Sequence, residues 1–193
     1  MTTKFPQIVL VRHGETEWSL SGRHTGRSDI PLTENGELAA KTLAARLPAL
    51  DFAAVYTSPS QRARKTCDLA GFGSRAAIDN NLAEWDYWRY EGITTKDIQA
   101  EAPGWNVFRD GCPGGESTRD IEKRADDVIA KLKSATGNIL IFSSSHFLRV
   151  LAARWLGLTA EAGSLFILDT TGISVLGYEH NLDEPVIRSW NQT

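Results

Sequence analysis

Arg12, His13, Gly14, Glu15 and Thr16 follow one another where a short apolar run, residues 7–13 (QIVLVRH), gives way to charge. An imidazole at the end of a buried strand can be a nucleophile, and an adjacent guanidinium can bind a phosphoryl group and keep the imidazole neutral at working pH. The neighbouring glycine allows the backbone to approach a ligand closely. A second cation, Arg62, stands in Ser58-Pro59-Ser60-Gln61-Arg62, on the first turns of a helix, where an arginine and a helix N-terminus together suit an anion. Arg64 and Lys65 point elsewhere on that helix and read as solvated surface. Glu84, in Leu82-Ala83-Glu84-Trp85, is a carboxylate beside tryptophans, and apolar surroundings suit a carboxyl to general-acid work. Each group alone has a plainer reading: a polar strand end for Arg12-His13, a surface-loop carboxylate for Glu84.

The elements that must position these groups alternate. Residues 7–13 predict a buried strand, and Thr33-Glu34-Asn35-Gly36 opens a helix with Leu38, Leu43 and Leu47 near one face, closed by Pro48. Residues 53–57 predict a second strand, and Ser58-Pro59 caps a helix running to about Leu69. Residues 80–115 look irregular, and a loop of that length suggests a functional lid formed with the nearby tryptophans. A polar helix covers about 117–133, a strand 138–142, and a helix the segment HFLRVLAARWL, ending near Gly157. The tail holds three strand-like runs, LFILD, SVLGYE and VIRSW; Trp155 and Trp190, with apolar neighbours, belong to the core. The alternation predicts one α/β domain over residues 1–193, with a mostly parallel central sheet flanked by helices in three layers.

Composition narrows the partners. The chain has 193 residues, 21 Lys+Arg against 24 Asp+Glu, and a net charge of -3, which argues against general affinity for nucleic acid. No apolar stretch is long enough to span a bilayer, and the N-terminal segment lacks a leader pattern, so a cytoplasmic protein is expected. Cys67 and Cys112 cannot form a disulfide framework, and His13, His24, His146 and His180 lack zinc-motif spacing. Gly71-Phe72-Gly73-Ser74-Arg75-Ala76 matches a dinucleotide-binding pattern but follows a helix and precedes a strand, so it reads as a turn. The sequon Asn191-Gln192-Thr193 means nothing without secretion.

The arrangement resembles the histidine phosphatase superfamily, in its phosphoglycerate-mutase-like branch. R-H-G-E-T at 12–16 is the signature, and the supporting segments follow in order: Gly22-Arg23-His24-Thr25-Gly26, Pro31-Leu32-Thr33, Ser58-Pro59-x-x-Arg62-Ala63-x-x-Thr66, Leu82-Ala83-Glu84-Trp85, Tyr90-Glu91-Gly92, Pro113-Gly114-Gly115-Glu116-Ser117 and Asp169-Thr170. The likeness covers nearly the whole chain, without the insertions of the glycolytic mutases, and is strongest to small sugar-phosphatase-like members. It implies a phosphoglycerate-mutase-like fold and a metal-independent phosphomonoesterase, needing no cofactor, acting on a small sugar phosphate or bisphosphate. By this resemblance His13 is phosphorylated during turnover and Arg12 and Arg62 hold the phosphoryl oxygens. Glu84 protonates the leaving alkoxide and then activates water, and Gly14, Glu15, Thr25 and Gly26 line the substrate side.

One departure bears on activity. The family carries a second histidine in an H-G-x-x-x-R string that also binds the phosphoryl group; here the segment reads Ser143-Ser144-Ser145-His146-Phe147-Leu148-Arg149. The ungapped alignment puts Ser144 at the histidine and Ser145 at the glycine, both as phosphate contacts, with His146 two residues late and the remaining catalytic candidate. Trp88 stands where the family usually has glycine, which would alter the pocket mouth. The alternatives are a weakened or repurposed homologue that binds phosphorylated metabolites, or a phosphoglycerate mutase, which would need longer covering segments to shelter phosphohistidine.

Overall fold

The computed structural model describes residues 5–193; residues 1–4, where the segment read for a leader begins, lie outside it. In chain order the elements are β1 (Ile8–Arg12), α1 (Glu17–Leu20), α2 (Glu34–Arg46), β2 (Phe52–Thr57), α3 (Gln61–Leu69), β3 (Ala76–Ile78), α4 (Thr95–Glu101), α5 (Val107–Asp110), α6 (Thr118–Ser134), β4 (Asn138–Ser143), α7 (Ser145–Trp155), β5 (Ile173–Tyr178) and β6 (Pro185–Gln192). The sheet order is β3-β2-β4-β1-β5-β6. The β3, β2, β4 and β1 strands run parallel, and β5 and β6 add an antiparallel edge.

A strand buried on both faces must be apolar at every position, with alternate residues feeding two cores. In β1, Ile8 and Leu10 enter one core with Ile139 and Ile141 of β4, while Val9 and Val11 enter the other with Leu140 and Phe142. The first core is covered by α6 and α7, through Ile121, Ala125, Val128, Phe147 and Leu151; the second is covered by α2 and α3, through Ala40, Leu43 and Cys67. These are the three layers expected. Because β1, β2 and β4 are parallel, their carboxyl ends open at one edge, in register at Arg12↔Ser143 and Thr57↔Phe142.

Several local expectations are corrected. Leu38 is exposed: five residues before Leu43 is about 140° around a helix, so the buried stripe of α2 runs through Gly36, Ala40 and Leu43. Thr33 caps α2 as its position suggested, accepting from the Gly36 amide at 3.0 Å. The cap of α3 is not Ser58-Pro59; Ser60 is the N-cap residue, and the Gln61 amide donates to the Asp29 carboxylate at 2.7 Å. Residues 80–115 are not structureless, since they hold α4, α5 and short 3-10 turns. Trp85 and Trp105 are core side chains rather than a lid; their indole N–H groups donate to the carbonyls of Glu116 and Gly111. Trp88 is exposed, with φ of 46°, the left-handed conformation glycine favours, and it packs on Gly114 and Gly115 outside both cavities described below.

In the tail, LFILD is not a strand. Residues Ala160–Leu165 form a 3-10 helix, and the carbonyls of Ile167 and Leu168 accept side-chain donors, Trp190 Nε1 and Arg12 Nη1, instead of a ladder. Trp155 is buried and Trp190 half-buried against the core. The Gly71–Ala76 segment is the expected turn from α3 into β3, so it has no helix N-terminus for a pyrophosphate.

Candidate active site

Three chain segments leave the carboxyl edge of the parallel strands and bring His13, Arg62 and Ser144 there. His13 is buried, with its amide on the Ser143 carbonyl at 2.9 Å. Its ring is oriented by its own loop: Nδ1 donates to the Gly14 carbonyl at 2.7 Å, which leaves the lone pair on Nε2. Burial, then Arg62, then Arg12, hold the imidazole well below its ordinary pKa, so it is a neutral nucleophile-type ring at neutral pH. Gly14 is fixed from two sides. Its amide donates to Thr66 Oγ1 at 2.9 Å, and a Cβ there would lie 2.6 Å from the Gly36 carbonyl oxygen.

Of the two arginines Arg62 is buried and Arg12 half-buried, and both are held by backbone carbonyls. Arg12 Nη1 donates to Leu168 at 2.6 Å; Arg62 donates to the carbonyls of Thr25, Gly26 and Ser28 at 2.9–3.1 Å. Neither pairs with a carboxylate among the described residues, and burial lowers the pKa of both. Only three buried side-chain polar atoms among the described residues lack a hydrogen-bond partner: Arg12 Nε, Arg62 Nε and Ser144 Oγ. All three belong to residues at this one edge. Each is a donor, the complement of an anion with several oxygens.

Glu84 reaches the same edge from the loop after β3. Arg124 on α6, paired through two nitrogens with Glu116, donates to the carbonyls of Asn81 and Ala83, and Ser143 Oγ donates to the Leu82 carbonyl at 2.6 Å. Glu84 does not sit in the apolar box that its tryptophan neighbours suggested. Its Oε1 accepts from the amides of Trp85 and Phe147 at 2.9 and 2.8 Å, and Oε2 from the amide of His146 at 2.9 Å. His146 Nδ1 lies 4.0 Å from Oε2 and 2.5 Å from the Tyr87 hydroxyl. Burial, with Arg149, His24 and Arg12, keeps His146 well below its ordinary pKa.

Arg12, His13, Thr25, Glu84, Ser145 and His146 line one cavity of about 400 Å³. Arg62 and Ser144 lie behind its wall, buried. Glu15 does not face it: its carboxylate accepts from Thr33 Oγ1 at 2.6 Å and ties the His13 loop to the start of α2. Gly26 faces a neighbouring, larger cavity of about 580 Å³, which also reaches Glu84. That second cavity is lined by five carboxylates, among them Asp29, Asp86 and Glu116, against Arg27 and Arg124. The smaller cavity is the one that His13 and Arg12 line. Its walls include Tyr87, which lay in no motif, and His24, Arg149 and Asp169, which lay in family segments without an assigned role. Tyr87 carried no spacing signal of its own, because its partner His146 is 59 residues away.

The geometry agrees with comparison to known proteins. Residues 8–193 match the family model described as histidine phosphatase superfamily (branch 1). An acid phosphatase of Mycobacterium tuberculosis is 39% identical, covering 91% of this chain and 88% of that protein. A sedoheptulose 1,7-bisphosphatase of Saccharomyces cerevisiae is 32% identical, covering 97% and 93%. Among solved structures, one from M. tuberculosis superposes with a TM-score of 0.92 at 37% identity, covering 97% of this chain and 98% of its own. A phosphoserine phosphatase from Entamoeba histolytica, solved with 3-phosphoglyceric acid, has a TM-score of 0.84 at 27% identity, covering 97% and 98%. The chain therefore belongs to the histidine phosphatase superfamily, branch 1, as a phosphatase, a hydrolase of phosphomonoesters.

Proposed function

We propose that the protein hydrolyses a small phosphorylated metabolite, a sugar phosphate or bisphosphate, through a phosphohistidine at His13. The observation that carries this reading is the convergence of the three unpartnered buried donors, Arg12 Nε, Arg62 Nε and Ser144 Oγ, on the strand edge that holds a neutral His13. His13 Nε2 attacks phosphorus while the bond to the leaving oxygen breaks, and Glu84 supplies that oxygen with a proton. Water then attacks the phosphohistidine, Glu84 takes its proton, and orthophosphate leaves. Oε2 is the proton-handling oxygen, since it accepts one amide where Oε1 accepts two. The arginines stabilise charge on the transferring group, where most of this chemistry's rate arises. Names of relatives support a phosphorylated small molecule, with bisphosphatase and phosphoserine phosphatase among them.

Ser144 favours a second reading, a slow or repurposed phosphatase. Its hydroxyl replaces a group that carries charge, and loss of one such contact costs about 10²–10³ in rate. His146, bonded to Tyr87, belongs to the cavity wall rather than to the buried place Ser144 occupies. The test is a panel of sugar mono- and bisphosphates run beside His13→Ala, with acid-labile ³²P labelling of the protein. Turnover and label that both vanish in His13→Ala support the proposal. A variant that hydrolyses as fast as the wild type overturns it.

A further inference from the structure

The end of β6 carries a bulge that turns one polar side chain toward the loop before β5. Ser189 pairs with Val175 and Gln192 with Ile173, so Trp190 and Asn191 together stand opposite Ser174. Asn191 has a φ of 51°, the left-handed conformation that asparagine adopts more readily than most side chains, and its amide N–H donates to Ser174 Oγ at 3.0 Å. From there the side-chain amide grips Asp169 twice. Oδ1 accepts from the Asp169 backbone N–H at 2.8 Å, and Nδ2 donates to the Asp169 carboxylate at 2.7 Å. Gly172 leaves the room, since a Cβ there would lie 2.4 Å from Asn191 Oδ1. The first residue of the 191–193 sequon thus has its amide engaged within the fold.

Asn191 holds one end of the peptide whose other end holds Arg12. The Asp169 N–H belongs to the same planar unit as the Leu168 carbonyl, and that carbonyl accepts from Arg12 Nη1 at 2.6 Å. This is the one side-chain hydrogen bond of Arg12 among the described residues. A planar unit bonded at its N–H cannot swing its carbonyl without breaking that bond, so Asn191 sets the direction from which the guanidinium is held. The two bonds run head to tail and polarise each other. Nδ2 meanwhile restrains the Asp169 carboxylate, which favours the Arg12 charge from the cavity wall without pairing with it.

We propose that Asn191 is a positioning residue for the phosphoryl contact of Arg12: it fixes the 168–169 peptide that orients the guanidinium, and it keeps the Asp169 carboxylate from capturing that guanidinium. This rests on the reading that Arg12 binds the phosphoryl group transferred to His13.

The test is a double-mutant cycle on kcat/KM for p-nitrophenyl phosphate, with Asn191→Gly, Arg12→Met and the two combined. Glycine keeps the left-handed backbone and removes only the side-chain amide. Asn191→Gly should lower kcat/KM about three- to tenfold, the range that one net hydrogen bond supplies. With Arg12→Met already in place the same change should lower it by less than about twofold. A merely structural role gives the same fold loss in both backgrounds. A second arm exchanges the pair. Asn191→Asp sets two carboxylates against each other and should lose activity, whereas Asn191→Asp combined with Asp169→Asn rebuilds both hydrogen bonds, the side-chain one with donor and acceptor reversed, and should recover most of the loss. If melting shows that Asn191→Gly does not fold, Asn191→Asp takes its place in the cycle. Equal losses in the two Arg12 backgrounds, no loss in Asn191→Gly, or an exchanged pair no better than Asn191→Asp overturns the inference. Failure of the phosphoryl reading is separate: it appears as turnover that survives His13→Ala, or as undiminished kcat/KM in Arg12→Met alone.

Discussion

Glu84→Gln keeps the side chain's size and removes one acceptor from a place where three donors meet. In the wild type Oε1 accepts from the amides of Trp85 and Phe147, and Oε2 from the amide of His146. A carboxamide has one oxygen. Placed where Oε1 stands it keeps two bonds and turns its NH₂ on the His146 amide, donor against donor. The Glu84 side chain is only 5% exposed, so bulk water does not make good the loss. A buried donor left unpaired costs about 1–3 kcal/mol. For a chain of this length each kcal/mol is about 2–4 °C in melting temperature, so Tm should fall by roughly 2–12 °C. Catalysis should fall by about 10²–10⁴ on an alkyl phosphate, the usual range for a positioned acid or base. On p-nitrophenyl phosphate the leaving group needs no proton, so kcat/KM should be spared while kcat drops, because water attack on the phosphohistidine still lacks its base. A stopped-flow trace should then show a burst of nitrophenolate before a slow steady state. Equal loss of kcat/KM on the two esters, with an unchanged Tm, refutes the reasoning.

Three further outcomes follow from single contacts. His24 is buried and held down to about 4 by burial. Between about pH 4 and 6.5 the unfolded chain therefore binds a proton that the folded chain does not, and stability falls as pH falls, by up to ~1.4 kcal/mol per unit from this residue; urea midpoints at pH 5 and 7 should differ less in His24→Phe, and an unchanged pH slope would show the assignment to be wrong. Gly36→Ala places a Cβ 2.3 Å from the Glu15 carbonyl oxygen, so thermal melts should show a loss of ~1–3 kcal/mol, and the shifted His13 loop should lower kcat. Ser144→His restores a charge-bearing donor and should raise phosphatase kcat by about tenfold or more, within the range such contacts supply; an unaltered rate means the hydroxyl already suffices.

Much of the fold was legible because its signals are local or periodic. Continuous apolar runs marked β1 and β4, and a polar run from Ser117 marked α6, whose start the structure closes with a capping box of Ser117 and Asp120. Arg12-His13, Arg62 and Glu84 were picked out by residue type and place beside strand ends, and the structure brings them to one edge of the sheet. What failed depended on contacts distant in sequence. Asp29 caps α3 from 32 residues away, and Arg12 takes the Leu168 carbonyl that a strand in LFILD would have needed. Glu84 was expected among tryptophans, yet its setting is three amides, because Trp85 turns into the core and the α7 N-terminus comes to the carboxylate. Tyr87 went unread as a site residue for the same reason: only the tertiary structure brings it to the cavity that His13 lines.

The end of α7 explains how one site can use both Glu84 and Ser144. An N-cap serine ordinarily turns its hydroxyl onto the second or third amide of its helix. In α7 those amides belong to His146 and Phe147, and Glu84 has taken both. Ser144 therefore makes no cap bond, and its hydroxyl is left as a buried donor without a partner, as are Arg12 Nε and Arg62 Nε. The capping energy that Ser144 would have supplied comes instead from a carboxylate, and charge-assisted bonds of that kind are the stronger ones. Two consequences follow from the exchange. The Glu84 carboxylate is fixed in place by a helix that is itself packed into the core, through Phe147, Leu148 and Leu151. The Ser144 hydroxyl also stays unpartnered at no cost to α7, because the helix end is already satisfied. Removing Glu84 would release both amides, and Ser144 is the nearest group able to cap them. In the proposed mechanism a change at Glu84 thus acts twice, through the proton it no longer carries and through the hydroxyl it no longer frees.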